Sequence, residues 1–482
     1  MSESTPLSGK GGRSGGRVLL SVPRPLRDLE GHALVAFFLR RLGHEVLLHT
    51  GPRLHERIAE EAPDAVVLDY LGWEERAEDA RLARRLGMKV IVLPTSGLWE
   101  EGGHARAAGQ LTGATGLLDC YLAWGEVARR DILEGTEIPE SRVHAVGCSR
   151  FDLYSERFRA LAGSRHDFLD RLGVRHATGP VVLWNTNTNH FARDWKQVIR
   201  EQMRQGHSTE EEVLHALHDE STQFREHSAV ILELARRHPT WTFVLKVHPL
   251  EPVSSYATMV RDTPNLHMAF DAPIPIFLHH CDVLVQRGCT TATEAWMLGK
   301  PVIELSVGQY HMQWASEEQQ RGNHRTFTLE ETDAAIVGYL AGRPVPEDQQ
   351  RARRDYLDDF CRGADGHASE RCAALIHQTL VDGRGAEDRA RTRELAREAR
   401  DEMRRREDRL PGSRLKDLLG VPRGTSLRFW KWKPSASDAA PNAQWTLTEE
   451  RVEALYRQYA AVTGGAAPSE TELAVSLEGR ES

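Results

Sequence analysis

The chain has 482 residues, with 62 Lys or Arg against 70 Asp or Glu, and a formal net charge of −8. That length suits two domains and an appendage at roughly 100–200 residues per domain, and the acidic balance disfavours a general nucleic-acid binder. No apolar run approaches the ~20 residues of a membrane span, and the six cysteines (Cys120, Cys148, Cys281, Cys289, Cys361, Cys372) are scattered without a CxxC pair, so free thiols and a cytoplasmic location are the expectation.

Residues 1–16 are rich in Gly and Ser, lack an apolar signal core and read as a disordered lead. RVLLSV at 17–22 is a first strand, followed by a helical pattern from Gly31 to Leu42 and a second strand in GHEVLLHT. A helix near 53–62, the strand DAVVLDY at 64–70, a helix near 74–86 and the strand MKVIVLP at 88–94 continue the series, with LLDCYLAWG and RVHAVG after them. A helical linker is expected over 152–173. PVVLWNTN at 180–187 then opens a second series, with a polar helical stretch over 191–237 and strands in TFVLKVHP, NLHMAF, DVLVQ and PVIEL. Continuous apolar strands alternating with helices predict parallel sheets covered on both faces. The fold class is therefore α/β, two facing doubly wound Rossmann-like domains with a helical C-terminal extension. The expected divisions are 17–152, an N-terminal acceptor domain; 153–378, a C-terminal donor-binding domain with its linker; and 379–482, a charged extension and tail. DRARTRELAREARDEMRRREDR at 388–409 reads as a solvated helix without an apolar seam, SLRFWKWKP at 426–434 as an aromatic-basic patch, and 447–462 as an amphipathic helix.

The candidate chemistry gathers at strand ends, where α/β sheets hold ligands. Arg287-Gly288-Cys289-Thr290-Thr291 is a polar turn before a helix, with hydroxyls and N–H groups suited to a phosphate, and Glu294 follows within reach of a sugar hydroxyl. His248, pinned by Pro249, ends a strand and could meet a phosphate or leaving group. Asn185, Thr186 and Asn187 follow another strand. On the N-terminal side, Glu100 and Glu101, or Asp28 with Arg27 and Glu30 beside it, compete as general base. Arg150 and Asp152 stand at the hinge as a pair or as ligand contacts. An N-cap, an Asn-rich turn or a solvated loop would explain each motif singly. GxGxxG after a strand, GxxxxGK[ST] and metal-ligand spacing are all missing.

Taken in order, VGCSRFDLY, VLWNTNTN, LKVHPLE, GCTTATEAWMLGKPVIEL and ADGHASERCA resemble a GT-B-type glycosyltransferase, and more narrowly the bacterial surface carbohydrate (surface polysaccharide) biosynthesis family, over residues 17–378. The His-Pro dipeptide and the Thr-Thr loop are similar to those of CMP-sialic acid, CMP-Kdo and polyol-phosphate transferases. That resemblance implies that His248, Thr290 and Thr291 bind a cytidine nucleotide's phosphate. The chain departs from the pattern at Cys148-Ser149, in place of Asn-Pro, and at Lys246-Val247, in place of Arg-Pro.

The expected function is a metal-independent transferase that takes a nucleotide sugar, CMP-linked Kdo or nonulosonic acid, as substrate and needs no cofactor. A glycan or lipid-linked acceptor is the second partner, with peripheral contact at the inner membrane face. The alternatives are a UDP-sugar 2-epimerase-like enzyme, a polyol-phosphate transferase or a non-catalytic scaffold.

Overall fold

The structure, a computed structural model, describes residues 15–50, 53–98, 102–174, 179–188, 195–205, 209–248, 251–269, 272–306, 316–381, 386–409 and 448–464. The first sheet contains β1 (Arg17–Ser21), β2 (Glu45–His49), β3 (Ala65–Leu68), β4 (Lys89–Val92), β5 (Cys120–Ala123) and β6 (Val143–Ala145), in the order β2-β1-β3-β4-β5-β6. The second contains β7 (Val181–Asn185), β8 (Thr242–Lys246), β9 (Leu266–Ala269), β10 (Val283–Gln286), β11 (Val302–Leu305) and β12 (His324–Thr326), in the order β12-β11-β10-β7-β8-β9. All the pairings are parallel. β3, β5, β7, β8, β10 and β11 are buried at every residue, the pattern of strands covered by helices on both faces. Fully burying one Val or Leu is worth ~1.5–3 kcal/mol, so these strands carry much of the core's stabilisation.

In each sheet the chain works outward from a central strand, then returns to its other side. The first sheet reverses between β1 and β3, the second between β7 and β10. Such switch points leave a crevice at the carboxyl ends of the strands.

The expected two-sheet α/β architecture is present, with corrections in the helices. The first helix runs Pro25–Arg41, starting before Gly31, because Pro25 supplies a preset φ at its first position. The linker is not one helix. It passes through two 3-10 segments, Ser149–Tyr154 and Glu156–Ala162, before the helix Arg165–Arg171. The helix Ala368–Val381 returns to pack on Pro25–Arg41 of the first sheet. Glu449–Thr463 docks on the same helix, its Tyr459 ring 5.9 Å from that of Phe37. Ala386–Arg409 does have a seam: Thr392, Ala396 and Ala399 are buried where it packs on Leu54–Glu61. The aromatic-basic patch at 426–434 and most of the N-terminal lead lie outside the described residues. All six cysteines are free thiols, and among the described residues no helix is long and apolar enough to cross a membrane.

Candidate functional site

The loops that follow β7, β8 and β10 are laced together at the second switch point. The His248 N–H donates to Thr186 Oγ1 at 2.8 Å, tying the β8 end to the β7 end. Asn187 Nδ2 donates to the Gly288 carbonyl at 3.3 Å, and Asn185 Nδ2 to Cys289 Sγ at 3.2 Å. Gln286, fully buried at the end of β10, accepts from the Cys289 N–H at 2.6 Å. Gly288 has φ +55°, a left-handed turn that a side chain would strain. Glu251 braces the same loops from below, accepting from the Thr188 N–H and the Tyr256 hydroxyl, each at 2.5 Å. Asn185, Thr186, Asn187, His248, Gly288, Cys289, Thr290 and Thr291 are thus brought to one place. Thr290 is exposed there, and its N–H and hydroxyl make no hydrogen bond among the described residues. The helix behind it, Thr291–Met297, has 7 residues, so its dipole is small and the loop's own groups must do most of the anion binding.

The first switch point carries a cluster of charge. Arg24 follows β1, with Arg27 and Asp28 one turn on. Arg24 is half-buried and its side chain makes no hydrogen bond or ion pair among the described residues. Burial and the neighbouring Arg27 pull its pKa below the ordinary value. Arg27 clamps Asp28 with two bonds, at 2.6 and 3.0 Å. Arg150 then joins the two sheets. Its Nη1 donates to Asp28 Oδ1 at 3.3 Å and its Nη2 to Glu294 Oε1 at 3.2 Å, while the Tyr154 hydroxyl donates to Glu294 Oε2. Gly31 allows this approach, since a Cβ there would meet the Arg150 backbone at 2.8 Å. Along the chain, Arg24 precedes Asp28 and Thr290 precedes Glu294 by about one helical turn, so each switch point is tied to this bridge from its own sheet.

Three expectations are revised by this geometry. Asp28 is 1% exposed and held by two arginines; burial pushes its carboxyl up, but Arg27 and Arg150 outweigh that and keep it below the usual range, which makes it a poor base. Glu294 is 3% exposed with both oxygens engaged, so in this arrangement it locks the seam and does not present a carboxylate to a sugar. Asp152 pairs with neither Arg150 nor the cleft. Its oxygens cap the helix Ala368–Val381, accepting from the Ala368 and Ser369 N–H groups at 2.9 and 2.7 Å. Glu100, Glu101 and Pro249 lie outside the described residues. Arg24 was missed, although an Arg-Pro pair directly after an apolar strand is a readable signal. Glu251 was also missed: its place in KVHPLE was visible, but its bracing of residue 188 was not.

No family model and no curated protein sequence matches the chain. Solved structures do match its fold. A putative UDP-N-acetylglucosamine 2-epimerase from Listeria monocytogenes is 13% identical, with 77% of this chain and 98% of that chain covered at a TM-score of 0.50. A second UDP-N-acetylglucosamine 2-epimerase gives the same identity, coverage and score. The wall teichoic acid polymerase TagF is 10% identical, with 76% and 88% covered at a TM-score of 0.49. The fold is the GT-B arrangement of two Rossmann-like units.

Proposed function

We propose that the chain is an enzyme that holds a nucleotide-linked sugar between its two sheets, with the phosphates between Thr290 and Arg24. The observation that carries this is the pairing of an unengaged guanidinium at one switch point with an exposed, preorganised Thr-Thr loop at the other. A half-buried arginine without a partner is costly unless an anion joins it. His248, at the end of β8, is the group placed to meet a leaving phosphate oxygen. The neighbours with a TM-score of 0.50 are named UDP-N-acetylglucosamine 2-epimerases, which supports a UDP-linked ligand and epimerase-like chemistry over transfer from CMP-linked Kdo or nonulosonic acid. A transferase version would need an acceptor glycan or lipid, and its base would fall to Glu101, because Asp28 is consumed by arginines.

Incubation with UDP-N-acetylglucosamine and with CMP-linked sugars, followed by product mass and proton NMR, separates the two. An isomeric or hydrolysed sugar without an added acceptor supports the epimerase-like reaction; a product that forms only with an acceptor glycan supports transfer. A bound nucleotide sugar at ~100 times its Kd should stabilise the fold by about 2.7 kcal/mol. No stabilisation by UDP-, CMP- or CDP-linked sugars at millimolar concentration would overturn the proposal.

A further inference from the structure

A cavity of about 660 Å³ lies where the two crossings between the sheets meet, and no residue of the strand-end loops lines it. The linker segment Glu156–Ala162 forms one wall. Gly363 and Ala364, which lead back to the helix Ala368–Val381, form another. The second sheet supplies the end of the helix Ile274–His280 and the stretch from Trp296 to Lys300. The volume falls within the ~300–1,000 Å³ of small-molecule sites.

Lys300 brings a cation to this wall. Its ammonium donates to the carbonyls of His279 and Cys281 at 3.1 and 2.8 Å, closing the helix end. An ammonium has three N–H donors. The remaining one has no acceptor, and Lys300 makes no ion pair, among the described residues. Arg353 stands behind it, 6% exposed, donating to the carbonyls of Gly322 and Lys300 at 2.8 and 3.1 Å and to no carboxylate among the described residues. Burial pulls its pKa down to about 10, with Tyr339 opposing. It is too enclosed to touch a ligand, but its charge adds to the field in the cavity.

Arg159 supplies a second cation on the linker side. Its partner Glu156 is 3.2 Å away, and the two side chains are 68% and 82% exposed. A pair so open to water is weak, so an anion can compete for the guanidinium. Asp358, beside Gly363, is also exposed. His279 registers the balance: burial lowers its pKa, His280, Lys300 and Arg159 lower it further, and its contact with the Leu153 carbonyl raises it. The cavity is thus cationic in a chain whose net charge is −8.

We propose that this cavity binds a small phosphate monoester. The remaining N–H of Lys300 and the Arg159 guanidinium hold the phosphate, and the organic body lies against Met297, Leu298 and Leu357, all partly exposed. A phosphate offers three oxygens to two separate donors and carries close to two charges, more of both than a carboxylate. The site is independent of the nucleotide-sugar reading. Tyr154 also lines it while its hydroxyl donates to Glu294, so an occupant lies one side chain from the seam between the sheets.

The test is calorimetry and phosphorus NMR on the full chain with phenyl phosphate, beside phenol, benzoate and inorganic phosphate. Phenyl phosphate should bind saturably, with the same affinity whether saturating UDP is present or absent. Benzoate and inorganic phosphate should bind several-fold more weakly, and phenol not at all. Added salt should weaken the binding. Arg159→Glu, at an exposed position, should weaken it roughly tenfold or more and leave the melting temperature unchanged. Lys300→Gln should weaken it as much; if that variant unfolds because the helix end is lost, Arg159→Glu still decides. No saturable binding at millimolar phenyl phosphate, equal affinity for phenol, benzoate or inorganic phosphate, competition by UDP, or unchanged affinity in Arg159→Glu would overturn the proposal.

Discussion

Arg150 Nη2 lies 3.2 Å from Glu294 Oε1, a contact between residues 144 positions apart that joins the linker after the first sheet to a helix of the second. Both side chains are nearly sealed from water, at 6% and 3% exposure. Asp28 would keep Arg27 as a partner if Arg150 were lost, but Glu294 would keep only the Tyr154 hydroxyl. Breaking a buried ion pair from one side costs about 3–5 kcal/mol. Arg150→Met should therefore lower the urea unfolding free energy by about that much. Glu294→Gln should cost less, because the amide still accepts a hydrogen bond. Equal, small losses in the two variants would show that the seam is not held here.

Asp152 ties the returning C-terminal helix to the linker through the two amides it caps. Burial pushes its carboxyl up to about 6 despite these hydrogen bonds. Asp152→Ala leaves both N–H groups without an acceptor in a buried setting and should cost about 1–2 kcal/mol. The loss should be local. Hydrogen exchange should speed up in Ala368–Val381 and stay unchanged in the second sheet.

These two residues show what the sequence could and could not reveal. The strands were legible because each parallel strand is a continuous apolar run, and so were the loops, because polar bursts directly follow those runs. β12 was not, since His324–Thr326 is a three-residue edge strand with little apolar character. The seam of Ala386–Arg409 escaped because it is built from Thr392, Ala396 and Ala399, whose small side chains give weak periodicity. Arg150, Asp152 and Asp28 all sit in suggestive motifs, yet the contacts of Arg150 with Asp28 and Glu294, and of Asp152 with Ala368 and Ser369, span over a hundred residues and leave no local trace. Asp28 and Glu30 seemed interchangeable in sequence. On a helix of 3.6 residues per turn they point about 200° apart, one into the seam and one toward Arg451 of the helix Glu449–Thr463.

Glu30 makes the stability of the protein depend on pH. Burial pushes its carboxyl from 4.5 up to about 7, with Arg451 opposing the shift and Asp28 adding to it. The folded state thus holds a proton that the unfolded state releases. The penalty is absent below pH 4.5, grows between 4.5 and 7, and is full above 7. A shift of this size corresponds to about 3 kcal/mol. Glu30→Gln should therefore melt higher than wild type at pH 8 and lose the advantage by pH 5. A variant that is less stable at pH 8 would mean that Arg451 already compensates the charge.

Arg24 gives the test in which stability and binding move in opposite directions. Its guanidinium is half-buried beside Arg27, with no hydrogen bond or ion pair among the described residues, and Tyr70, Asp28 and Asp69 nearby offset its burial only in part. Replacing it by Met keeps the hydrocarbon stem and removes the charge, which should stabilise the unliganded protein by about 1 kcal/mol, the trade expected at a site kept open for a ligand. The same change should weaken UDP binding roughly tenfold or more, as loss of a charge-assisted contact to phosphate does. Calorimetry with UDP and thermal melts with and without it read both effects on one sample. Arg24→Lys should restore part of the affinity as a point charge, without the two-pronged grip of arginine. If Arg24→Met destabilised the unliganded protein and left UDP affinity unchanged, the residue would be structural, and the anion site would rest on Thr290 and its loop alone.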